Sequence, residues 1–227
     1  MKASFALFDF DGTLRRGDSI VSLMCWAYRQ KHCALGPFLR GVSAGLLYCL
    51  HRMSAKKSKE AALSFLKGKS RQELESLGTA FAREVLLPSL YAEGREEIRR
   101  CLAEGKKLWI ITASPDFYME PLGNMLGAHR VIATRLAYRD DAFTGEIVED
   151  CRREEKLRLT RRALTEMALE VDAETSTAYG DSWGDQYVMA LCGQRIYVNP
   201  GRRVRRLLSE DSSAKAVFWH THSEDQT

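Results

Sequence analysis

Ser4-Phe5-Ala6-Leu7-Phe8-Asp9-Phe10-Asp11-Gly12-Thr13-Leu14 is the stretch whose reading decides the fold. Its apolar, Phe-rich run stops at Asp11-Gly12, the pattern of a buried strand that delivers polar residues at its carboxyl end. Asp9 and Asp11 stand two apart on an extended chain, so their side chains share a face, and Gly12 lets the backbone turn sharply. Unless a cation lies between them, two carboxylates so close repel, and one takes a raised pKa. An ionised member then attacks an electrophile while its neighbour handles protons. An Asp-Gly turn is the plainer reading of the same residues.

Beyond this strand the pattern changes. From Asp18 to Leu90 apolar residues recur at helical spacing (Ile20, Leu23, Met24; Leu46, Leu47, Leu50; Leu74, Leu77, Phe81, Val85), which predicts an insertion of about four helices, broken near Gly36-Pro37 and Leu87-Pro88. After Gly94 helix and strand alternate: a helix over 95–103, a buried strand over 107–112 and a helix from Pro115. Short strands follow over 131–138 and 142–148, then a helix over 154–169, a strand over 175–179, a helix over 183–191 and a strand over 195–198. Such alternation on both sides of a helical block predicts a doubly wound, Rossmann-like parallel α/β sheet with an inserted helical domain. Residues 1–14 and 94–227 would form the core and residues 15–93 the insertion. The segment after Ser209 reads as a polar tail with a last apolar patch over 216–219.

Three further places carry chemistry. Thr112-Ala113-Ser114 follows a strand and precedes a helix, where a hydroxyl and backbone N–H groups suit phosphate oxygens. Gly180-Asp181-Ser182-Trp183-Gly184-Asp185 puts two acids four apart among glycines after another strand, a pattern suited to a hard, oxygen-ligated cation such as Mg²⁺. Lys156 lies on a charged helix. Taken singly, each has an ordinary explanation: an N-cap, a capped loop, a solvated lysine. Taken together, three strand ends of one sheet each present acids or hydroxyls, and ligands bind beyond the carboxyl ends of such strands.

The 227 residues are 45% hydrophobic and 28% charged, with a formal net charge of +4. That mixture excludes a disordered, collagenous or coiled-coil chain. Between Arg15 and Glu93 there are 13 Lys and Arg against 6 Asp and Glu, so this segment carries +7 and the remainder −3. An excess of that kind predicts a surface facing something anionic. The opening residues lack a small-residue cleavage site, and the apolar stretch from Gly41 to Leu50 is too short to span a bilayer. Six scattered cysteines without metal spacing read as reduced thiols, and a cytoplasmic location is expected.

In this order the motifs resemble those of the haloacid dehalogenase superfamily of aspartate-nucleophile phosphohydrolases, and the resemblance covers the whole chain. FDFDGTL (8–14) is similar to the first motif, ITAS (111–114) to the second, Lys156 to the third and GDSWGD (180–185) to the fourth. A helical insertion directly after the first motif is similar to the cap of the phosphoserine-phosphatase-like branch. The resemblance implies a Mg²⁺-dependent phosphatase acting on a small phosphate monoester. Asp9 would attack phosphorus and carry a phosphoaspartyl intermediate, and Asp11 would protonate the leaving oxygen and then activate water. Thr112, Ala113 and Lys156 would hold phosphoryl oxygens. Mg²⁺ would be bound by Asp9, the Asp11 carbonyl and Asp181, with Asp185 close by.

The substrate is less sharply drawn. In phosphoserine phosphatases of this branch an acidic residue, usually Glu, stands about nine positions after the nucleophile and helps bind the substrate ammonium. Here that place is held by Asp18, which is equally an N-cap for the first inserted helix. A phosphotransferase of the same fold is one alternative. Another is a phospholipid-phosphate phosphatase of the phosphatidylglycerophosphate type, docking on anionic membrane through its basic cap. The glycine-spaced apolar stretch 36–53, with Trp26, Tyr28, Phe38 and Tyr48, is expected instead to pack as the insertion's own core. His220 and His222 read as an exposed tail rather than a metal pair. Arg202-Arg203 and Arg205-Arg206 make too short a patch for nucleic acid. The sequence carries no signal for oligomeric state.

Overall fold

The computed structural model, which describes residues 1–208 and 212–220, is built on a seven-stranded sheet. Its strands are β2 (Phe5–Phe8), β3 (Lys107–Pro115), β4 (Arg130–Arg139), β5 (Ala142–Glu149), β7 (Thr177–Gly180), β8 (Gln194–Val198) and β9 (Ala214–Val217). They lie in the order β5-β4-β3-β2-β7-β8-β9, and all neighbours are parallel except the β4–β5 hairpin. A separate two-residue parallel pair joins β1 (Lys2–Ala3) to β6 (Glu170–Val171).

The central strand shows why this sequence sits in the middle. Its alternate side chains serve opposite faces of the sheet, as the two-residue period of a strand requires. Phe5 and Leu7 join Trp109, Ile111, Leu159 and Met189 on one side, while Ala6 and Phe8 join Ile98, Ile110 and Leu122 on the other. The rings are in contact: Phe8 stacks on Tyr179 at 4.0 Å, and Phe5 meets Trp109 edge-on at 5.2 Å. Both faces are therefore dry. The helices α7 (Glu154–Glu166) and α8 (Gln186–Met189) cover the first, and α5 (Ala92–Ala103) and α6 (Asp116–Met125) the second.

Between β2 and β3 the chain makes α1 (Ser19–Arg29), α2 (Leu35–Cys49), α3 (Ala55–Ala62) and α4 (Arg71–Phe81), the last continuing as a π turn over Ala82–Leu86. Leu23, Trp26, Leu63, Leu66, Leu74 and Phe81 from this block belong to the same buried cluster as Phe8 and Ile110. The helical block and the sheet are thus joined by one continuous apolar core. The block also packs tightly on α6 at Gly78, where a Cβ would lie 2.1 Å from the Phe117 carbonyl oxygen. Pro121, four residues on in α6, has no N–H to give that carbonyl. Only a residue without a side chain fits over it.

The structure departs from the sequence reading in several places. Gly36-Pro37 does not break a helix; it sits in the first turn of α2, where backbone N–H groups have no intrahelical acceptor and proline is tolerated. The patch near the carboxyl end begins in the last two residues of the edge strand β9 rather than belonging to a loose tail, and Trp219 just past the strand exchanges two hydrogen bonds of 3.0 Å with the Asn199 amide. His220 is exposed and donates its backbone N–H to Glu93, while His222 lies outside the described residues. In the insertion Trp26 is buried, but Tyr28 and Tyr48 are exposed, and α2 buries only Gly41 and Ala44. Helical spacing marks a stripe of leucines without saying whether it faces inward, and here most of that stripe faces outward.

The six cysteines are free thiols, with Cys33, Cys101, Cys151 and Cys192 buried and Cys25 and Cys49 exposed. Among the described residues no helix is long and apolar enough to cross a membrane.

Candidate active site

The carboxyl ends of β2, β3 and β7 and the first turn of α7 converge on one cavity of about 380 Å³. All eight residues singled out from the sequence line it: Asp9, Asp11, Asp18, Thr112, Ala113, Lys156, Asp181 and Asp185. They arrive from four separate parts of the chain, and the register of the sheet brings them together. Phe8 pairs with both Ile110 and Tyr179, so the residues that follow each strand emerge side by side. The Asp9 backbone N–H extends this ladder by one step, donating to the Tyr179 carbonyl at 2.9 Å.

At the floor, Lys156 Nζ lies 2.6 Å from Asp9 Oδ1 and 2.6 Å from Asp185 Oδ1, all three side chains being buried. Asp185 also accepts from the Ser182 N–H and hydroxyl, at 3.1 and 2.6 Å. Burial works against its charge, but Lys156 and these two donors hold its carboxyl below the ordinary range. Asp9 fares differently. Burial, outweighing Lys156 and reinforced by the nearby Asp185, pushes it up to about 7. Burial raises Asp181 to about 8, with Asp9 and Asp185 adding to the shift. Lys156 is held charged, because Asp185 and Asp9 together overcome the effect of its own burial.

One carboxylate oxygen from each of Asp9, Asp181 and Asp185 lies within 4.8 Å of the others. Buried Asp9 and Asp185 and the half-buried Asp181 lie close together beside one lysine, and burial first, with their mutual repulsion adding to it, favours the protonated forms of Asp9 and Asp181. An all-oxygen donor set of this kind suits a hard divalent cation. The residues present therefore accommodate Mg²⁺. Gly12 makes the cluster sterically attainable: its φ is +85°, and a Cβ there would stand 2.3 Å from Asp181 Oδ2.

Asp11 is turned away from this cluster. Its Oδ2 accepts from the hydroxyls of Ser19 and Ser114, at 2.6 and 2.5 Å, and its Oδ1 from the Ser19 N–H at 2.9 Å. The buried Tyr118 hydroxyl meets Ser19 Oγ at 2.9 Å and backs the arrangement. Arg15 stands 3.4 Å away. Burial raises the Asp11 pKa, and the acid that adds to it is Asp18. The repulsion expected between Asp9 and Asp11 is thus not the main cause of either shift; burial is, with Asp185 and Asp18 as the adjacent charges.

Asp18 caps α1, its Oδ1 accepting from the N–H groups of Ile20 and Val21 at 2.8 and 3.2 Å. Thr112 is buried and its Oγ1 accepts the Ser114 N–H at 3.1 Å, which leaves its own O–H to donate. The Ala113 carbonyl accepts from Lys59 Nζ and the Thr134 hydroxyl, each at 2.7 Å. Lys59, from α3, also pairs with Asp150 at 2.5 Å. With Arg152, Arg153 and Arg203 it adds four cations to the cavity lining. Sequence reading missed these four, together with the support of Asp11 by Ser19 and Tyr118. Ser114 lay inside a quoted motif, whereas Lys59 reaches the site only through the packing of α3.

Comparison with known proteins places this geometry. A family model described as haloacid dehalogenase-like hydrolase matches residues 6–190. Protein CicA of Caulobacter vibrioides is 34% identical over 193 residues, covering 84% of this chain and 83% of that protein. Phosphoserine phosphatase SerB1 of Mycobacterium tuberculosis is 29% identical over 213 residues, covering 90% of this chain and 68% of the relative. Among solved structures, a protein with unknown function from Bordetella pertussis superposes with a TM-score of 0.85 at 26% identity, covering 96% of this chain and 99% of its own.

Proposed function

Because the chain belongs to the haloacid dehalogenase-like hydrolase family, we propose that it is a Mg²⁺-dependent phosphatase that hydrolyses a phosphate monoester through a phosphoaspartyl intermediate on Asp9. The observation that carries this reading is the grouping of Asp9, Asp181 and Asp185, one oxygen of each within 4.8 Å of the others, with Lys156 Nζ on Asp9 and Asp185, at the carboxyl ends of β2 and β7.

The steps follow from the residues. Asp9, as carboxylate, attacks phosphorus while the ester P–O bond breaks, and Asp11 passes its proton to the leaving oxygen. Asp11, now ionised, takes a proton from water as the water oxygen attacks phosphorus and the Asp9–phosphorus bond breaks. Inorganic phosphate leaves and both acids return to their starting states. Lys156 spends two of its three N–H donors on Asp9 and Asp185, so the third is left for a phosphoryl oxygen. The Thr112 hydroxyl and the Ala113 N–H supply further donors. Mg²⁺ held by Asp9, Asp181 and Asp185, with the Asp11 carbonyl, would neutralise the phosphoryl oxygens and let anionic Asp9 approach them.

In this reading residues 15–93 act as the cap over a core of residues 1–14 and 94–227, since Asp18, Ile20 and Lys59 from the helical block line the cavity. The cations Arg152, Arg153 and Arg203 favour a monoester whose leaving group bears a second negative charge, while Lys59 is already paired with Asp150. Asp18 caps α1 through Oδ1, so a substrate ammonium such as that of phosphoserine would have to call on its Oδ2. Turnover of an aryl phosphate with Mg²⁺, and its loss with a chelator, tests the reaction. A panel of monoesters with and without a second anionic group tests the substrate class, and equal kcat/KM across the panel would remove that part.

A further inference from the structure

Helix α2 has two apolar sides. Gly41 and Ala44 face inward, with Gly41 against Met24 and Ala62. Leu35, Leu39, Val42, Leu46 and, just past the helix, Leu50 recur at intervals of three or four, which places them on one stripe of a helix. Those five side chains are between 51 and 61% exposed. A stripe of this extent is unusual on a surface that faces only water. Its electrostatic setting is one-sided. Residues 19–59 contain seven Lys and Arg and no Asp or Glu, and Arg29, Lys31, Arg40, Arg52, Lys56 and Lys57 are exposed.

We propose that this face of α2 docks on the surface of an anionic lipid bilayer. An exposed apolar stripe in a segment, residues 19–59, whose charged side chains are all cations matches a bilayer that offers hydrocarbon below an anionic headgroup layer. A second copy of the chain would match the leucines but bring like charges together, which disfavours it. The helix is too short to cross, and Arg40 lies midway along it, so it rests in the interface plane. At its last turn the Tyr48 hydroxyl accepts a hydrogen bond from Arg152, a residue of the cavity lining, so the docking helix touches the active site.

Flotation of the full chain with vesicles of phosphatidylcholine, with and without phosphatidylglycerol, tests this. The chain should float with the anionic vesicles, stay behind with the neutral ones and be released by added salt. The double variant Leu39→Glu/Leu46→Glu should lower the bound fraction by roughly ten-fold or more while melting and aryl phosphate turnover stay at wild-type values. Lys56→Glu/Lys57→Glu, which touches no apolar contact, should also weaken binding and serves if the leucine variant fails to fold. Failure to bind anionic vesicles at low salt, or binding indifferent to both variants, would overturn the proposal. So would a dimer in sedimentation equilibrium that Leu39→Glu/Leu46→Glu breaks, in a chain that ignores vesicles.

Discussion

Gly12 lies so close to Asp181 that a methyl group on residue 12 would stand 2.3 Å from Asp181 Oδ2, inside any van der Waals contact. The turn after β2 and the loop after β7 therefore share a single volume, which requires a glycine at position 12, as does its φ of +85°. Gly12→Ala should cost about 1 kcal/mol or more in stability from the backbone conformation alone. By displacing Asp181 it should also raise the Mg²⁺ concentration needed for half-maximal activity by roughly ten-fold. Thermal melting and a Mg²⁺ titration of aryl phosphate turnover read the two effects separately.

Lys156 is the cation that buried Asp9 and Asp185 share, with the half-buried Asp181 close by. Replacing it with methionine, which keeps much of its length, leaves Asp9, Asp181 and Asp185 facing one another without compensation. Lys156→Met should destabilise the metal-free protein by about 3 kcal/mol or more and abolish turnover. Added Mg²⁺ should restore part of the stability and none of the activity. Urea unfolding with and without Mg²⁺ checks the prediction.

The raised carboxyls give the protein a directional response to pH. With Asp9 near 7 and Asp181 near 8, both well above the ordinary 3.8, the folded state binds protons more tightly than the unfolded chain. Their contribution to stability is complete below the unfolded value and is lost as pH rises through the folded values. Mg²⁺ competes with those protons, so the increase in Tm on adding Mg²⁺ should grow as pH is raised through 7 and 8. Melting curves across that range, with and without the metal, decide it; a shift that shrinks with rising pH would contradict the assignment of the cluster.

How much of this was readable beforehand depends on distance along the chain. FDFDGTL announced both the central strand and the two acids, because a strand with buried faces and an abrupt Asp-Gly stop is written within a few residues. The alternation after Gly94 fixed the parallel sheet in the same way. Lys59 gave no local sign, since its role depends on how α3 lies across Ala113 and Asp150. The edge strand β9 was hidden by its brevity, four residues whose pairing with β8 is decided by tertiary contact. The leucines of α2 were legible as a stripe, but a period of 3.6 residues is the same whether the stripe meets a protein core or the outside.

The central claim is that a carboxylate oxygen of Asp9 is the nucleophile that takes the phosphoryl group. The most direct test is to mix the protein with an excess of aryl phosphate and Mg²⁺, quench in acid within the first turnover, and locate the phosphoryl adduct by mass spectrometry of the peptides. The account predicts an adduct on Asp9 that vanishes in Asp9→Asn together with turnover, while Tm without metal stays level or rises because a neutral side chain suits that buried place. An adduct on another residue, or Asp9→Asn turning over substrate near the wild-type rate, would contradict it.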